Sequence, residues 1–506
     1  MRARLALVLA VLVLAVGGCA ALDPNPRSVS TPAPADVPAE LEPFYTQVLE
    51  WEPCGSGFQC SNAEVPLDWA DPAGDRIDLA LLRRPAQNGD PQGSLLVNPG
   101  GPGASGVDFV RDSADYATGR PLQEAFDIVG FDPRGVGRST PVECADEPED
   151  LDEYLFAVPD AEPGTPDWYA ESDELSADFG ADCARYTGDL LAHVDTTSAA
   201  RDLDVLRAVL GDEKLNYLGY SYGTSLGARY LELFPERAGR LVLDGALDPA
   251  ASLVEVTASQ AEGFEGALRA WLETCVDDPE CVFHGDSVDE AAERIRSLLD
   301  RLAASPLRAD DGRELGNVTM FTAIILPLYN RANWPALSEL FTSVLDGDTG
   351  TALALADEYY GRGEDGVYLD NAAEAQLAVN CLDFPSTIDP VQREAEAQAI
   401  LARAPVFGRE MAYGMLSCAR WPVPPTGERA PLDAPTAPGV IVVGTTGDPA
   451  TPYAWAQALA DQLPEGILVT FEGEGHTAYN KSNECVDSAV ETFLVEGELP
   501  RADVTC

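Results

Sequence analysis

The chain has 506 residues, 45% of them apolar, and a mean hydropathy near zero, which is the profile of a globular protein with a large core. Its 32 basic residues stand against 85 acidic ones, for a net charge of −53. A surface of that sign repels nucleic acid and offers no basic patch to an anionic membrane. Because the carboxylates run along the whole chain, they read first as a solubility device and only second as a preference for cationic substrates.

The first segment is a targeting signal. Arg2 and Arg4 precede an apolar run from Leu5 to Val16 that is too short to span a bilayer comfortably. The stretch Val16-Gly17-Gly18-Cys19 then resembles a bacterial lipobox, so residues 1–18 are expected to be removed and Cys19 to carry lipid, anchoring the protein outside the cell membrane. Residues 19–43, rich in Pro, Ser, Ala and acidic side chains, read as a flexible tether. With Cys19 set aside, ten cysteines remain: Cys54, Cys60, Cys144, Cys183, Cys275, Cys281, Cys381, Cys418, Cys485 and Cys506. An even count in an exported chain suggests disulfides, and their spacing fits no zinc site. Pairing neighbours in order gives five local loops, although spacing alone leaves other pairings open.

From about Gly93 to Ala246, short apolar runs alternate with helical patterns, the signature of βαβ units around a parallel sheet. Strands are expected at 93–97, 126–131, 215–218 and 241–244. A helix is expected over 197–210 with Thr197 as its N-cap, and another from the Gly219–Gly223 turn to Phe234. Residues 250–405 lose the strand pattern and read as helices at 261–275, 288–304, 334–345 and 391–404. Strands resume at 439–444 and 467–471. The expected organisation is an α/β-hydrolase core in two parts, 44–249 and 406–506, with a helical cap at 250–405 lying over the strand ends.

The chemistry is carried by Gly219-Tyr220-Ser221-Tyr222-Gly223, a Gly-x-Ser-x-Gly pentapeptide between a strand and a helix. The glycines permit the strained turn that raises the serine hydroxyl above a sheet. Serine needs a base, and the chain has only three histidines. His193 precedes the nucleophile and His284 lies in the cap. His476 follows the last strand, where this chain order (serine, acid, histidine) places the base. Asp448, directly after the strand at 439–444, is the expected acid, holding the imidazole tautomer. Tyr222 N–H and Gly101 N–H, in the glycine-rich loop Asn98-Pro-Gly-Gly-Pro-Gly103, are the expected oxyanion donors. Asp132, Arg134 and Arg138 read as braces of the loops, with no chemistry assigned. No metal or cofactor is expected.

The motifs Asn98–Gly103, Asp132-Pro-Arg-Gly-Val-Gly-Arg-Ser139, Gly219–Thr224, Gly447-Asp-Pro-Ala-Thr-Pro452 and Gly475-His476 together resemble the tripeptidyl-aminopeptidase group of actinobacterial secreted hydrolases, relatives of the proline iminopeptidases. Cys418-Ala-Arg-Trp-Pro422 and the C-terminal segment extend the resemblance to nearly the whole mature chain. It implies a serine exopeptidase that releases tri- or dipeptides from free N-termini. Some members are carboxylesterases or lipases, which is the alternative enzyme reading; a solute-binding lipoprotein is the non-enzymatic one. Pro99 replaces the histidine found in the proline iminopeptidase loop, which argues against strict proline-iminopeptidase activity. Recognition of a substrate ammonium calls for carboxylates under the cap. The stretch 374–383 resembles the amine-proximal segment of relatives, which nominates Glu374 and Asp383.

Overall fold

The computed structural model describes residues 27–506, apart from 162, 163, 387, 388 and 415. The lipobox and Cys19 lie outside the described residues.

Among the described residues the core is one eleven-stranded sheet. Its strands in chain order are β1 (Ser28–Val29), β2 (Glu50–Gly55), β3 (Phe58–Pro66), β4 (Arg76–Arg84), β5 (Ser94–Asn98), β6 (Asp127–Phe131), β7 (Leu215–Tyr220) and β8 (Ala238–Asp244). A two-residue hairpin in the cap, β9 (Leu307–Arg308) with β10 (Glu314–Leu315), stands apart, and β11 (Val440–Gly447), β12 (Gly466–Glu474) and β13 (Val504–Thr505) complete the sheet. The spatial order is β1-β2-β3-β4-β6-β5-β7-β8-β11-β12-β13, parallel from β6 onward and antiparallel before it. Leu95, Leu96 and Val97 of β5 and Val440 to Val443 of β11 are fully buried, because helices cover both faces of the parallel part. Those runs are the continuous apolar stretches seen in the sequence.

Three expectations are corrected. Residues 27–43 are not a free tether: β1 pairs Ser28 with Trp51, Ala33 N–H donates to Ala208 O, and Asp36 O accepts from Arg237. The helix Thr196–Leu210 is capped by Asp195, whose carboxylate accepts from Ser198 N–H; Thr197 lies inside the first turn. The antiparallel strands β2 to β4 went unread in the sequence.

The cap is built from two places in the chain. Between β8 and β11 the helices Leu253–Cys275, Val288–Ala304, Asn317–Leu328, Pro335–Leu345 and Gly350–Tyr360 enclose a second core around Trp271, Phe341 and Leu268, while helix Ala372–Asp383 packs Ala378, Val379 and Leu382 into the main core. A further excursion after β6 contributes the helices Pro148–Leu155 and Pro166–Thr187. Tyr154 stacks on Phe179 within it, and Arg362 of the later segment forms a bidentate pair with Asp152. The disulfides Cys144–Cys183 and Cys381–Cys418 secure these two contributions, and Cys54–Cys60, Cys275–Cys281 and Cys485–Cys506 close local loops. Each of the ten described cysteines thus pairs with its neighbour in sequence.

Candidate active site

Ser221 follows the last residue of β7 at φ 53° and ψ −125°, a conformation that an L-residue holds only when its surroundings compel it. They do. A Cβ on Gly219 would meet Gly223 O at 2.5 Å, and one on Gly223 would meet Asn98 Oδ1 at 2.8 Å, so the turn closes only with both glycines. Ser221 N–H donates to Asp244 O at 2.8 Å, tying the elbow to the neighbouring strand end.

Asp448 and His476 come together from the ends of β11 and β12. Nδ1 of His476 lies 2.9 and 3.0 Å from the two carboxylate oxygens of Asp448. The carboxylate is buried and also accepts from Ala450 N–H, Thr451 N–H, Thr451 Oγ1 and Thr477 N–H, so its orientation is fixed from four further directions. With Nδ1 facing a carboxylate, the ring carries its proton there and leaves Nε2 free as a base. The imidazole and Ser221 share one support: Cε1 lies 3.2 Å from where a Cβ on Gly245 would stand, directly after the Asp244 carbonyl that holds Ser221. Ser221 Oγ makes no hydrogen bond to the ring in this conformation. Such contacts are commonly long without substrate and tighten in the complex. His193 sits 3.9 Å from Asp68 and His284 in the Cys281 loop, both apart from this cluster.

The glycine-rich loop lies against the elbow. A Cβ on Gly100 would come within 2.6 Å of Tyr220 O and 2.8 Å of Ser221 Cβ, so Gly100 makes the close approach that the sequence suggested for its neighbour. Gly101 lines the cavity beside Ser221, and neither its N–H nor that of Tyr222 is used in a hydrogen bond among the described residues. Asp132 braces this loop by accepting from Ser105 Oγ, Val107 N–H and Arg138 N–H. Arg134 is a structural residue: fully buried, it forks onto Asp202 at 2.7 Å twice and donates to the carbonyls of Pro66, Leu67 and His193.

Above Ser221 a cavity of about 470 Å³ is closed by the cap. Helix Ala372–Asp383 presents Gln376, Asn380 and Asp383 to it, three positions one and two turns apart on one face. Glu374, on another face with Ala378 and Cys381, does not line it. Its carboxylate accepts from Cys144 N–H at 2.6 Å, and burial pushes it up to about 7. The nomination of Glu374 as a cavity carboxylate is therefore corrected by helical phase. Asp383 accepts from Thr196 N–H at 2.9 Å and from the Thr196 hydroxyl, which also meets the Tyr222 hydroxyl; burial raises it to about 6. Glu410 lines the same cavity. Asn317 donates to its Oε1 at 3.3 Å, Oε2 has no partner among the described residues, and desolvation raises it to about 7. Glu410 gave no signal in the sequence, since it belongs to a four-residue helix, Gly408–Met411, with no motif around it.

A strained serine, an aspartate–histidine pair on adjoining strand ends and a covered cavity make this the candidate active site. Residues 93–321 match the α/β hydrolase fold family and residues 404–506 the family described as TAP-like protein. Serine protease Hip1 of Mycobacterium tuberculosis is 37% identical over 489 residues, covering 92% of each chain. Tripeptidyl aminopeptidase of Streptomyces coelicolor is 31% identical over 475 residues, covering 90% of this chain and 86% of that one. The chain belongs to the TAP-like α/β-hydrolases. Carboxylesterase B of M. tuberculosis, 38% identical over 458 residues and covering 88% and 86%, is similar to the same extent. This TAP-like α/β-hydrolase is a serine hydrolase, and its relatives' names span peptide and ester hydrolysis. No group of His, Cys, Asp and Glu suited to a metal occurs among the described residues.

Proposed function

We propose that the protein is an exopeptidase that releases short peptides from free N-termini through an acyl-enzyme on Ser221. The reading rests on one observation above all: the cavity over Ser221 is roofed, and its wall holds the buried carboxylates Asp383 and Glu410. A roofed cavity of this size takes a chain end and excludes the middle of a polypeptide. Glu410, whose Oε2 has no partner among the described residues, is pushed up by desolvation; an ammonium beside it favours the ionised form and gains a charge-assisted hydrogen bond. The names of the Hip1 and tripeptidyl aminopeptidase relatives favour peptide substrates.

In this reading His476 Nε2 takes the Ser221 proton as Oγ attacks the scissile carbonyl, and Asp448 stabilises the imidazolium. The N–H groups of Gly101 and Tyr222 receive the tetrahedral oxyanion, His476 then protonates the leaving amine, and water hydrolyses the acyl-enzyme by the same route. Comparing a free tripeptide anilide with its N-acetylated form tests it: the free form is turned over far faster, and equal turnover of both refutes amine recognition. Fluorophosphonate labels Ser221, and label mapped to any other residue refutes the nucleophile. The carboxylesterase B relative supports a second reading, ester hydrolysis by the same residues, which that equal turnover would favour.

Five disulfides suit an oxidising compartment outside the cytoplasm. Attachment to the membrane through lipid on Cys19 belongs to the same proposal. Radiolabelled palmitate incorporated by the full chain and lost in Cys19→Ser supports it; equal incorporation by both refutes it.

A further inference from the structure

Among 32 basic side chains only two are lysines, Lys214 and Lys481. Lys481 lies five residues beyond His476. Thr477 and Asn480 adopt positive φ of 64° and 59°, so the segment coils back and brings the lysine beneath the histidine it follows. Its Nζ donates to Thr477 Oγ1 at 2.6 Å and lies over the rings of Tyr116 and Tyr220 at 4.4 and 4.5 Å. The residue is partly exposed along its length, but the ammonium end is almost wholly enclosed, and among the described residues no carboxylate oxygen comes within the 4.0 Å of an ion pair. An arginine would not suit such a place, because its guanidinium needs more donors satisfied and does not give up its charge.

What surrounds the ammonium is the support of the active site. Thr477, its hydrogen-bond partner, donates its own N–H to Asp448 Oδ2 at 3.2 Å. Asp244, fully buried, accepts from Ala478 N–H and Tyr479 N–H, while its carbonyl holds Ser221 N–H. Lys481 is therefore two bonds from the acid and packed on the tyrosine that precedes the nucleophile. The groups bearing on His476 are Asp448 and Thr451 from the loop after β11, Asp244 from β8 and Tyr329 from the cap. Those bearing on Lys481 are Asp244, Asp448, Tyr116 and Tyr220.

We infer that Lys481 is a positioning residue for hydrolysis: its ammonium clamps Thr477, and through the Thr477 N–H it holds the Asp448–His476 pair in place. The inference rests on the assignment of His476 as base. Desolvation lowers Lys481 itself to about 8, opposed by Asp244 and Asp448, so the clamp discharges in mildly alkaline solution.

The test is the pH dependence of fluorophosphonate labelling of Ser221 in the full protein, which reads activation of the nucleophile whatever the substrate. In Lys481→Met the maximum rate falls about tenfold and the alkaline decline of the native protein is absent, because no group at this position loses a proton there. Lys481→Gln keeps a donor to Thr477 without the charge; it likewise lacks the alkaline decline, with a smaller loss of rate. In the native protein the rate declines above about pH 8, where Lys481 loses its proton. Folded variants whose profiles superimpose on the native one overturn the inference. A native rate that stays level to pH 10 overturns it even if neither variant folds. Absence of any labelling at Ser221 in the native protein would instead refute the nucleophile assignment.

Discussion

The backbone N–H of His476 donates to the carbonyl oxygen of Tyr329 at 2.8 Å, and the Tyr329 ring stands edge-on to the imidazole with centroids 5.4 Å apart. Tyr329 belongs to the cap, directly after helix Asn317–Leu328, so the cover of the cavity also holds the histidine loop of the core. Gly475, at φ 113°, lets the loop pass close beneath residues 329–331. Tyr329→Leu keeps the carbonyl and removes the ring. An edge-on aromatic contact contributes about 0.5–1.5 kcal/mol, so Ser221 labelling should slow by about 3- to 10-fold. An unchanged rate would show that the ring does not orient the base.

Gly100 tests the oxyanion side. At φ 102°, with Tyr220 O and Ser221 Cβ within 2.8 Å of a virtual Cβ, it has room for no side chain. Gly100→Ala must push the loop from the elbow and move the Gly101 N–H off its target. Losing one such donor costs about 100-fold or more in kcat. The expected outcome is a folded protein, by circular dichroism and unfolding midpoint, with that loss. Full activity would place the second donor elsewhere.

Arg134 should matter for stability and not for chemistry. Removing one partner of a buried pair leaves the other charge uncompensated, at a cost of about 3–5 kcal/mol. Arg134→Met strands Asp202, which burial already pushes upward. A lower denaturation midpoint is expected, with kcat preserved in the fraction that folds. An unaltered midpoint would mean that Asp202 takes a proton at little cost.

Glu374 makes stability depend on pH. Its carboxyl titrates near its ordinary value when unfolded and at about 7 when folded, so between those values the native state binds more protons. Stability therefore falls as pH rises through that window and levels off above it, by about 1.4 kcal/mol for each unit of separation at most. Glu374→Gln keeps an acceptor for Cys144 N–H and abolishes this contribution. The drop in melting temperature between pH 5 and pH 8 should shrink in the variant, while Asp383 and Glu410 maintain part of it. An identical drop would exclude Glu374 as a source.

The parallel strands were legible because strands buried on both faces must be continuous apolar runs, and Ser221, Asp448 and His476 were legible because each follows such a run. Glu374 misled because the sequence segment was right but its helical phase was not: Gln376, Asn380 and Asp383 share the face turned to the cavity. The hairpin from β2 to β3 has its local signal in Gly55-Ser56-Gly57, between Cys54 and Cys60. Glu410, Tyr329 and Lys481 were illegible for another reason. Glu410 meets Asn317, Tyr329 meets His476, and Lys481 lies over Tyr116 and Tyr220, all from distant segments, and nothing local marks a side chain whose role depends on contacts so far away in the chain.

That the cavity wall continues past residue 405, through Glu410, Met411 and Gly427 to Ala430, has a practical meaning for anyone trying to widen the substrate range. Excising residues 250–405 would not uncover Ser221 cleanly, since Cys418 would lose its partner Cys381 and Asp152 would lose Arg362. The helices after β6 would keep their place against the core with their inner faces wetted. Access is better changed from within, by trimming side chains on the cavity wall, than by shortening the polypeptide.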